Sequence, residues 1–303
     1  AQSSFQNVRI VPPGSGICHQ INVERFARGV MTKATDAGEL AYFDTVVGTD
    51  SHTTTANGIG VLSWGVGGIE AEAAALGQPI TTLVPQVVGV HLTGELRDGV
   101  SAMDAALTFA QMLRAKGVVG KFVECFGDGV ATLSATQRAC IANMTPEYGC
   151  TCTLFPVDDR TLEYLLLTGR DKEQVALVEA YAKAQGMWND GASRVYSEVL
   201  ELNLSEVECS LAGPSRPHDR FARNDARSRF NAICADRNLD MDKRVAVNFM
   251  GTEYELTHGA IAIAAVTSCT TATDPAMMLA CGLVAKHARE RGLLAKPWVK
   301  RVM

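Results

Sequence analysis

A carboxylate, a hydroxyl and an imidazole stand side by side at Asp50, Ser51 and His52. Such groups can move protons and bind a polar ligand, which is the chemistry of general acid–base catalysis. They follow an apolar stretch, residues 43–47, and precede a glycine-rich one, residues 58–68. This order is typical of a functional loop after a buried strand. The structural alternative is a helix N-cap, in which Asp50 or Ser51 accepts backbone N–H bonds.

Two further stretches could bring polar groups to the same place. His19 follows a loop at residues 12–16, whose prolines and glycines fix the direction of the backbone. Asn143 and Glu147 flank Pro146, which ends the preceding helix and leaves both side chains at the mouth of a loop. His19 could also be a hydrogen-bonded core histidine, and the second stretch could be an ordinary helix C-terminus.

Cys269 comes directly after an apolar strand predicted at residues 260–266 and before a predicted helix. A thiol near a helix N-terminus is favoured as the thiolate, which can ligate a metal or act as a nucleophile. Three interpretations fit this position: a metal ligand, a nucleophile with His19 or His52 as its base, and an inert core thiol.

Strand, loop and helix segments alternate along the chain, which favours an α/β architecture with mostly parallel sheets. Strands are predicted at residues 8–11, 44–47, 84–92, 122–126 and 260–266. Helices are predicted at 69–76, 102–116, from about 134, in two segments of 161–187, and at 276–291. Residues 212–244 interleave Arg and Asp and hold few large apolar side chains, which predicts a solvated linker between domains.

Composition excludes several classes of protein. With 303 residues, 47% of them hydrophobic, the chain can bury a sizeable core. The net charge of −5 gives no electrostatic reason to expect DNA, RNA or an anionic membrane as a partner. Nine cysteines, an odd number without any C-x-x-C, indicate a reducing compartment, either the cytoplasm or an organelle matrix.

Seven ordered motifs of the chain resemble the aconitase family, and within it the cytosolic branch of the aconitase A and iron-regulatory-protein type. They occupy residues 11–16, 48–54, 64–72, 117–124, 142–144, 146–149 and 268–270. The resemblance implies three-layer α/β/α domains with mostly parallel sheets. It divides the chain into the end of a first domain (1–90), a second domain (91–211), a linker (212–243) and the start of a third domain (244–303).

The resemblance also implies a function. Members of the family are hydro-lyases that isomerise citrate and isocitrate through cis-aconitate, a step of the tricarboxylic acid cycle. Their [4Fe–4S] cluster is held by three thiolates and acts as a Lewis acid on the substrate. By motif, Cys269 would be the first cluster ligand, and Asn143 would lie against the cluster and the substrate.

The same comparison of motifs implies acid–base roles. Asp50 and His52 would belong to the pair that manages the leaving hydroxyl, with His19 oriented alongside. Ser51 would bind a substrate carboxylate, and Glu147 would lie near the bound water or hydroxyl. A trianionic substrate that loses hydroxide needs proton donors and a Lewis acid converging on one carbon.

The chain also departs from the family pattern. The other two cluster thiolates come from a downstream C-x-x-C, which this sequence does not contain. A catalytic serine, substrate-binding arginines and an N-terminal Asp–His pair are also not found. Thr271 replaces an asparagine, and Cys150 and Cys152 replace small residues, although they make poor substitute ligands because they are one residue apart. We therefore expect an incomplete active site, whose remaining portions could be separate chains.

Two alternatives stay open at this point. The substrate could be a related acid, such as 2-methylisocitrate, homoaconitate, isopropylmalate or a phosphinate analogue, because the arginines that select it are not in this sequence. The chain could instead be a non-catalytic module that binds RNA or a partner subunit, although its acidic balance argues against RNA.

Overall fold

The computed structural model describes residues 4, 8–191, 194–266 and 274–302. Its strands are β1 (Val30–Thr35), β2 (Gly38–Phe43), β3 (Thr45–Gly48), β4 (Leu62–Gly65), β5 (Val87–Thr93), β6 (Phe122–Phe126), β7 (Cys152–Leu154), β8 (Glu198–Asn203), β9 (Ser210–Ala212), β10 (Arg220–Ala222), β11 (Arg244–Phe249), β12 (Thr252–Thr257), β13 (Ile263–Ala265) and β14 (Lys300–Val302). Its α-helices are α1 (Cys18–Ile21), α2 (Gly68–Ala75), α3 (Ala102–Lys116), α4 (Asp128–Thr132), α5 (Ala135–Asn143), α6 (Thr145–Tyr148), α7 (Asp159–Leu167), α8 (Lys172–Ala184), α9 (Ala226–Asp236) and α10 (Pro275–Glu290). A π-helical turn, Asn22–Phe26, and 3₁₀ segments at Ser51–Ile59, Leu204–Glu206 and Arg223–Asp225 lie between them.

The largest sheet of the described residues has four parallel strands in the order β7-β6-β5-β8. The pairs β3–β4 and β13–β14 are also parallel, whereas β1–β2, β9–β10 and β11–β12 are antiparallel hairpins. Parallel pairing therefore predominates in the described part of the chain. The predicted α/β class with mostly parallel sheets is confirmed.

Two apolar cores stabilise this arrangement. In the larger one, Val88, Val90 and Leu92 of β5 are fully buried, and Phe109 and Leu113 of α3 belong to the same cluster. The smaller one joins side chains of α7 and α8 to the 3₁₀ segment Ser51–Ile59, which contributes Ala56 and Ile59. The second core therefore anchors the segment that carries Ser51 and His52.

Most predicted elements are present with small shifts of their ends. Helix α3 and strand β6 have the predicted bounds, and α2, α5, α7, α8 and α10 lie within a few residues of theirs. Residues 8–11 form no strand, so that prediction is wrong, and the strand predicted at 260–266 is confined to β13.

The predicted linker contains regular structure. Its charged stretch includes β10, a 3₁₀ turn and the 11-residue helix α9, in which Cys234 is buried. Composition indicated solvent exposure correctly for most of these residues but missed the helix. The division into domains stays a prediction. No helix of the described part is both long and apolar enough to cross a membrane.

Candidate active site

Asp50 caps the 3₁₀ segment Ser51–Ile59, which follows the parallel strand β3. Its Oδ1 atom accepts a hydrogen bond from the backbone N–H of His52 at 3.1 Å. The N-cap interpretation is therefore correct for Asp50. It does not exclude a functional role, because the second carboxylate oxygen, Oδ2, is directed to another residue.

That residue is His19 on α1. Its Nδ1 atom lies 3.0 Å from Asp50 Oδ2 although the two residues are 31 positions apart. Only 2% of His19 is exposed, and its Nε2 atom is buried with no hydrogen-bond partner among the described residues. A carboxylate on Nδ1 fixes the ring and its tautomer, which leaves Nε2 for chemistry.

His52 is held in the same way by a different acceptor. Its Nδ1 atom lies 3.2 Å from the backbone carbonyl oxygen of Asn143, the last residue of α5. A carbonyl oxygen can only accept, so Nδ1 carries the proton and Nε2 is the other reactive nitrogen. The rings of His19 and His52 are close, with centroids 5.4 Å apart.

Nine residues is a long run for a 3₁₀ helix, which usually stops after three or four. This segment is stabilised by its own side chains, which donate additional hydrogen bonds to backbone carbonyls. The hydroxyls of Thr53 and Thr55 donate to the carbonyls of Asp50 and His52, and the amide of Asn57 donates to Thr54 and Ser63. The segment is therefore fixed at both ends, which holds His52 in place.

Two carboxylates at the site differ in their electrostatics. Burial by itself raises the pKa of Asp50, but the hydrogen bonds from the His52 N–H and the His19 ring outweigh it, so the pKa lies below its ordinary value. Burial raises the pKa of Glu147, and the neighbouring His52 ring opposes this only in part. The Oε2 atom of Glu147 is buried without a partner in the described part. Carboxylates with separated pKa values suit acid–base chemistry.

Helix α5 is anchored by groups that the sequence did not single out. Arg138 is fully buried and makes a bidentate pair with Asp158, at 2.8 and 2.6 Å. Its guanidinium also donates to the carbonyls of Val130 and Leu133. A charged residue inside the otherwise apolar face of a helix was the available signal, because a buried arginine requires such partners.

The 3₁₀ segment and α5 also approach each other unusually closely at Gly58. A Cβ atom on Gly58 would lie 2.3 Å from the backbone nitrogen of Ala139 and 2.4 Å from its Cα. Only glycine fits this contact, so a larger residue at position 58 would push the 3₁₀ segment away from α5.

The structure thus brings together His19, Asp50, His52 and Asn143, with Glu147 near His52. It differs from the expected pairing in one respect, because the Asp50 carboxylate contacts the ring of His19 and only the backbone of His52. Ser51 begins the 3₁₀ segment and is exposed.

The predicted cluster ligand, Cys269, lies outside the described residues. Five residues later, Asp274 caps α10 and accepts a hydrogen bond from Thr136 of α5 at 3.4 Å. The start of α10 therefore contacts the helix that carries Asn143. Among the described residues, no three His, Cys, Asp or Glu side chains are placed to hold a metal ion.

Fold and site together define an α/β protein in which two histidines are each held through Nδ1, with one carboxylate after the parallel strand β3 and a second on the short helix α6. The model of the aconitase family (aconitate hydratase) matches residues 1–303. Aconitate hydratase A of Legionella pneumophila is 52% identical over 301 residues, 99% of this chain and 34% of that protein. The Escherichia coli K12 protein of the same name is 52% identical over 303 residues, 99% of this chain and 34% of its own length. The chain belongs to the aconitase family, and it spans about a third of the length of these relatives.

Proposed function

We propose that this chain forms one wall of the active site of an aconitase-type hydro-lyase, which isomerises citrate and isocitrate through cis-aconitate. Family membership and the names of the relatives support the reaction class. The observation that carries the proposal is the pair of histidines, each held through Nδ1, one by Asp50 and the other by the Asn143 carbonyl. The Nε2 atom of each ring is then left for proton transfer, and the two ring centroids are 5.4 Å apart.

Loss of water from a tricarboxylate requires a proton for the departing hydroxyl and a base for the proton of the neighbouring carbon. The family's catalytic serine, which is not in this sequence, would be that base. The His19 ring can supply the proton for the departing hydroxyl from Nε2, while Asp50 attracts the positive charge of the protonated ring. Glu147, whose pKa is raised, keeps a proton at higher pH than an ordinary glutamate. It can hold the released water, and the same groups take the proton back when water adds to the alkene. Ser51 and the amide of Asn143 are assigned to substrate binding.

The family implies a [4Fe–4S] cluster, which would supply Lewis-acid chemistry to the substrate. No group of three or more His, Cys, Asp or Glu in the described part of the chain is placed to hold a metal, and the two thiols nearest in sequence to Asn143 do not fit the cluster. Burial raises the pKa of Cys140 and of Cys150 to about 12, and Cys150 donates its proton to the carbonyl of Cys152 at 3.1 Å. We propose Cys269 as the first ligand, with two ligands from outside this chain.

Other parts of the proposal follow from the family alone. The partners are a tricarboxylic acid and the portions of the protein that the chain does not contain, joined to it or as separate chains. The location is the cytoplasm and the pathway the tricarboxylic acid cycle. A related acid as substrate is the alternative, because the substrate-binding arginines are not in this sequence.

The test compares the 303-residue chain with its longest natural form, or with the chain supplied with the missing portions, after anaerobic reconstitution with iron and sulfide. We expect conversion of citrate, isocitrate and cis-aconitate by the complete form and none by the 303 residues alone. A panel with 2-methylisocitrate, homoaconitate and isopropylmalate decides the substrate. A complete form that is loaded with a cluster yet converts none of these acids would contradict the proposed function.

A further inference from the structure

Thr55 connects His52 of the 3₁₀ segment with Asn143 of α5. It is fully buried, and its Oγ1 atom lies 2.6 Å from the backbone carbonyl oxygen of His52 and 2.8 Å from Nδ2 of Asn143. The ring of His52 in turn contacts the backbone carbonyl of Asn143. His52 and Asn143 are therefore joined twice, once directly and once through the hydroxyl of Thr55.

The direction of these hydrogen bonds is fixed by the inventory of donors. A hydroxyl has one proton, and the carbonyl of His52 can only accept, so Thr55 must give its proton to His52. Its oxygen then faces Asn143 as an acceptor. Only the NH₂ end of the Asn143 amide can satisfy it, which turns the carbonyl end, Oδ1, to the opposite side.

We propose that Thr55 is a positioning residue, which sets the orientation of the Asn143 amide and ties it to the backbone of His52. The consequence for catalysis rests on the proposed function, in which Asn143 and His52 contact the substrate. The orientation of the Asn143 amide does not rest on the proposed function, because it depends only on contacts within the chain.

Thr53 provides a matched control within the same segment. It is also buried, and its hydroxyl donates to the carbonyl three residues earlier, that of Asp50, at 2.7 Å. This is the same local hydrogen bond that Thr55 makes to His52. A role of Thr55 in supporting the 3₁₀ turn alone would therefore be shared by Thr53, whereas orientation of Asn143 would not.

The experiment measures proton exchange of the Asn143 side-chain amide by NMR in chain labelled with ¹⁵N-asparagine, the signal being assigned by its loss in Asn143→Ala. Thr55→Val keeps the shape of the side chain and removes the hydroxyl, and we expect exchange to accelerate about 10-fold or more because the amide loses its buried acceptor. Thr55→Ser should keep the wild-type rate, and Thr53→Val should leave it unchanged. If Thr55→Val does not fold, Thr55→Ala makes the same comparison.

A wild-type exchange rate in Thr55→Val, or equal acceleration in Thr53→Val, would overturn the proposal. In the complete, reconstituted form, Thr55→Val should lower kcat about 10-fold, and Thr55→Ser should restore it, as for residues that orient an active-site group. The two failures are distinguishable. Altered amide exchange without any hydro-lyase activity in the wild type would refute the proposed function alone, and activity with unaltered exchange would refute the positioning role alone.

Discussion

At the scale of single residues, His19 and His52 are distinguished by what holds Nδ1. A carboxylate, Asp50, contacts the first ring, whereas a neutral backbone carbonyl contacts the second. A charged acceptor makes the stronger hydrogen bond and attracts a positive charge on the ring, and a neutral one does so far less. The proposed function therefore assigns the two imidazoles different parts in the proton transfer, because only His19 has a carboxylate on Nδ1.

The charge of Asp50 can be tested separately from its capping role. Asp50→Asn keeps an N-cap residue, because its amide oxygen can still accept from the backbone N–H of His52. The amide NH₂ group then faces His19 in place of a carboxylate oxygen. The Nδ1 atom of His19 must therefore accept a hydrogen bond, and its Nε2 atom must carry the proton. We expect kcat of the complete form to fall roughly 100-fold, the usual lower range for loss of an acid–base group. The free energy of unfolding, measured in urea, should change by less than about 1 kcal/mol.

The matched control is Asp171→Asn at the N-cap of α8, where the side chain accepts from the backbone N–H of Gln174. It makes the same chemical change at the same kind of position, away from the histidines. Wild-type kcat in Asp50→Asn, or an equal loss in Asp171→Asn, would show that the carboxylate on His19 does not serve catalysis.

The raised pKa of Glu147 predicts that the stability of the fold depends on pH. This pKa is raised in the folded chain above the ordinary value of 4.5, so the folded state holds the proton over a range in which the unfolded state has lost it. Stability must therefore fall as pH rises from 4.5 through the folded pKa. Glu147→Gln removes this penalty, and we expect equal Tm values below pH 4 and a higher Tm for the variant at neutral pH. The exposed carboxylate of Glu39 in β2 supplies the control, because Glu39→Gln makes the same chemical change without relieving a buried charge. A lower neutral Tm in Glu147→Gln would contradict this account.

At the scale of elements, periodicity predicted the helices well. Helix α3 ends where Gly117 takes a positive φ of 78°, and Ser101 and Asp104 form a capping box at its start, all of which are local signals. Residues 8–11 were apolar enough for a strand but are not part of one. Strand pairing depends on distant residues, so short apolar runs cannot be assigned from sequence alone.

For the candidate site, too, the local positions of residues could be predicted from the sequence, whereas their contacts could not. Local patterns placed His19, Asp50, His52 and Asn143 on loops and helix ends. The partner of each ring depends on contacts across 31 and 91 positions, which no local pattern contains. Thr55 and Gly58 were overlooked for the same reason, because their importance comes from α5, which follows them by about 80 residues in the sequence.

The close approach of the 3₁₀ segment to α5 can be tested at Gly58. Gly58→Ala adds a methyl group that would lie 2.3 Å from the Ala139 backbone nitrogen, so the two elements must separate. We expect a loss of about 1–3 kcal/mol in the free energy of unfolding, typical of overpacked cores. Separation should also lengthen the contact between His52 and Asn143, and a crystal structure of the variant would show it.

Gly282 in α10 is the matched control for this substitution. A Cβ atom there would meet nothing within 4 Å. Replacing a glycine inside a helix by alanine then stabilises by roughly 0.5–1 kcal/mol, since alanine loses less backbone freedom. Equal effects of Gly58→Ala and Gly282→Ala would contradict the steric argument.

At the scale of the whole molecule, burial is distributed unevenly along the chain. Both apolar cores draw on residues between Val23 and Leu204. By contrast, α10 has no buried residue in the described part, and its Leu279, Leu283 and Val284 are more than half exposed. Helices gain most of their stability from packing an apolar face, so the two regions should differ in stability.

Hydrogen exchange of the 303-residue chain measures this difference directly. Seven residues of α3 are buried, and its amides should exchange only when the main cores open. The amides of α10 should exchange through local opening, with a free energy at least about 2 kcal/mol lower, and should respond little to a mutation in the core such as Phe109→Ala. Phe109→Ala should in the same experiment speed exchange throughout α3 and α5. Protection of α10 equal to that of α3, lost in parallel in Phe109→Ala, would mean that α10 folds as one cooperative unit with the two apolar cores.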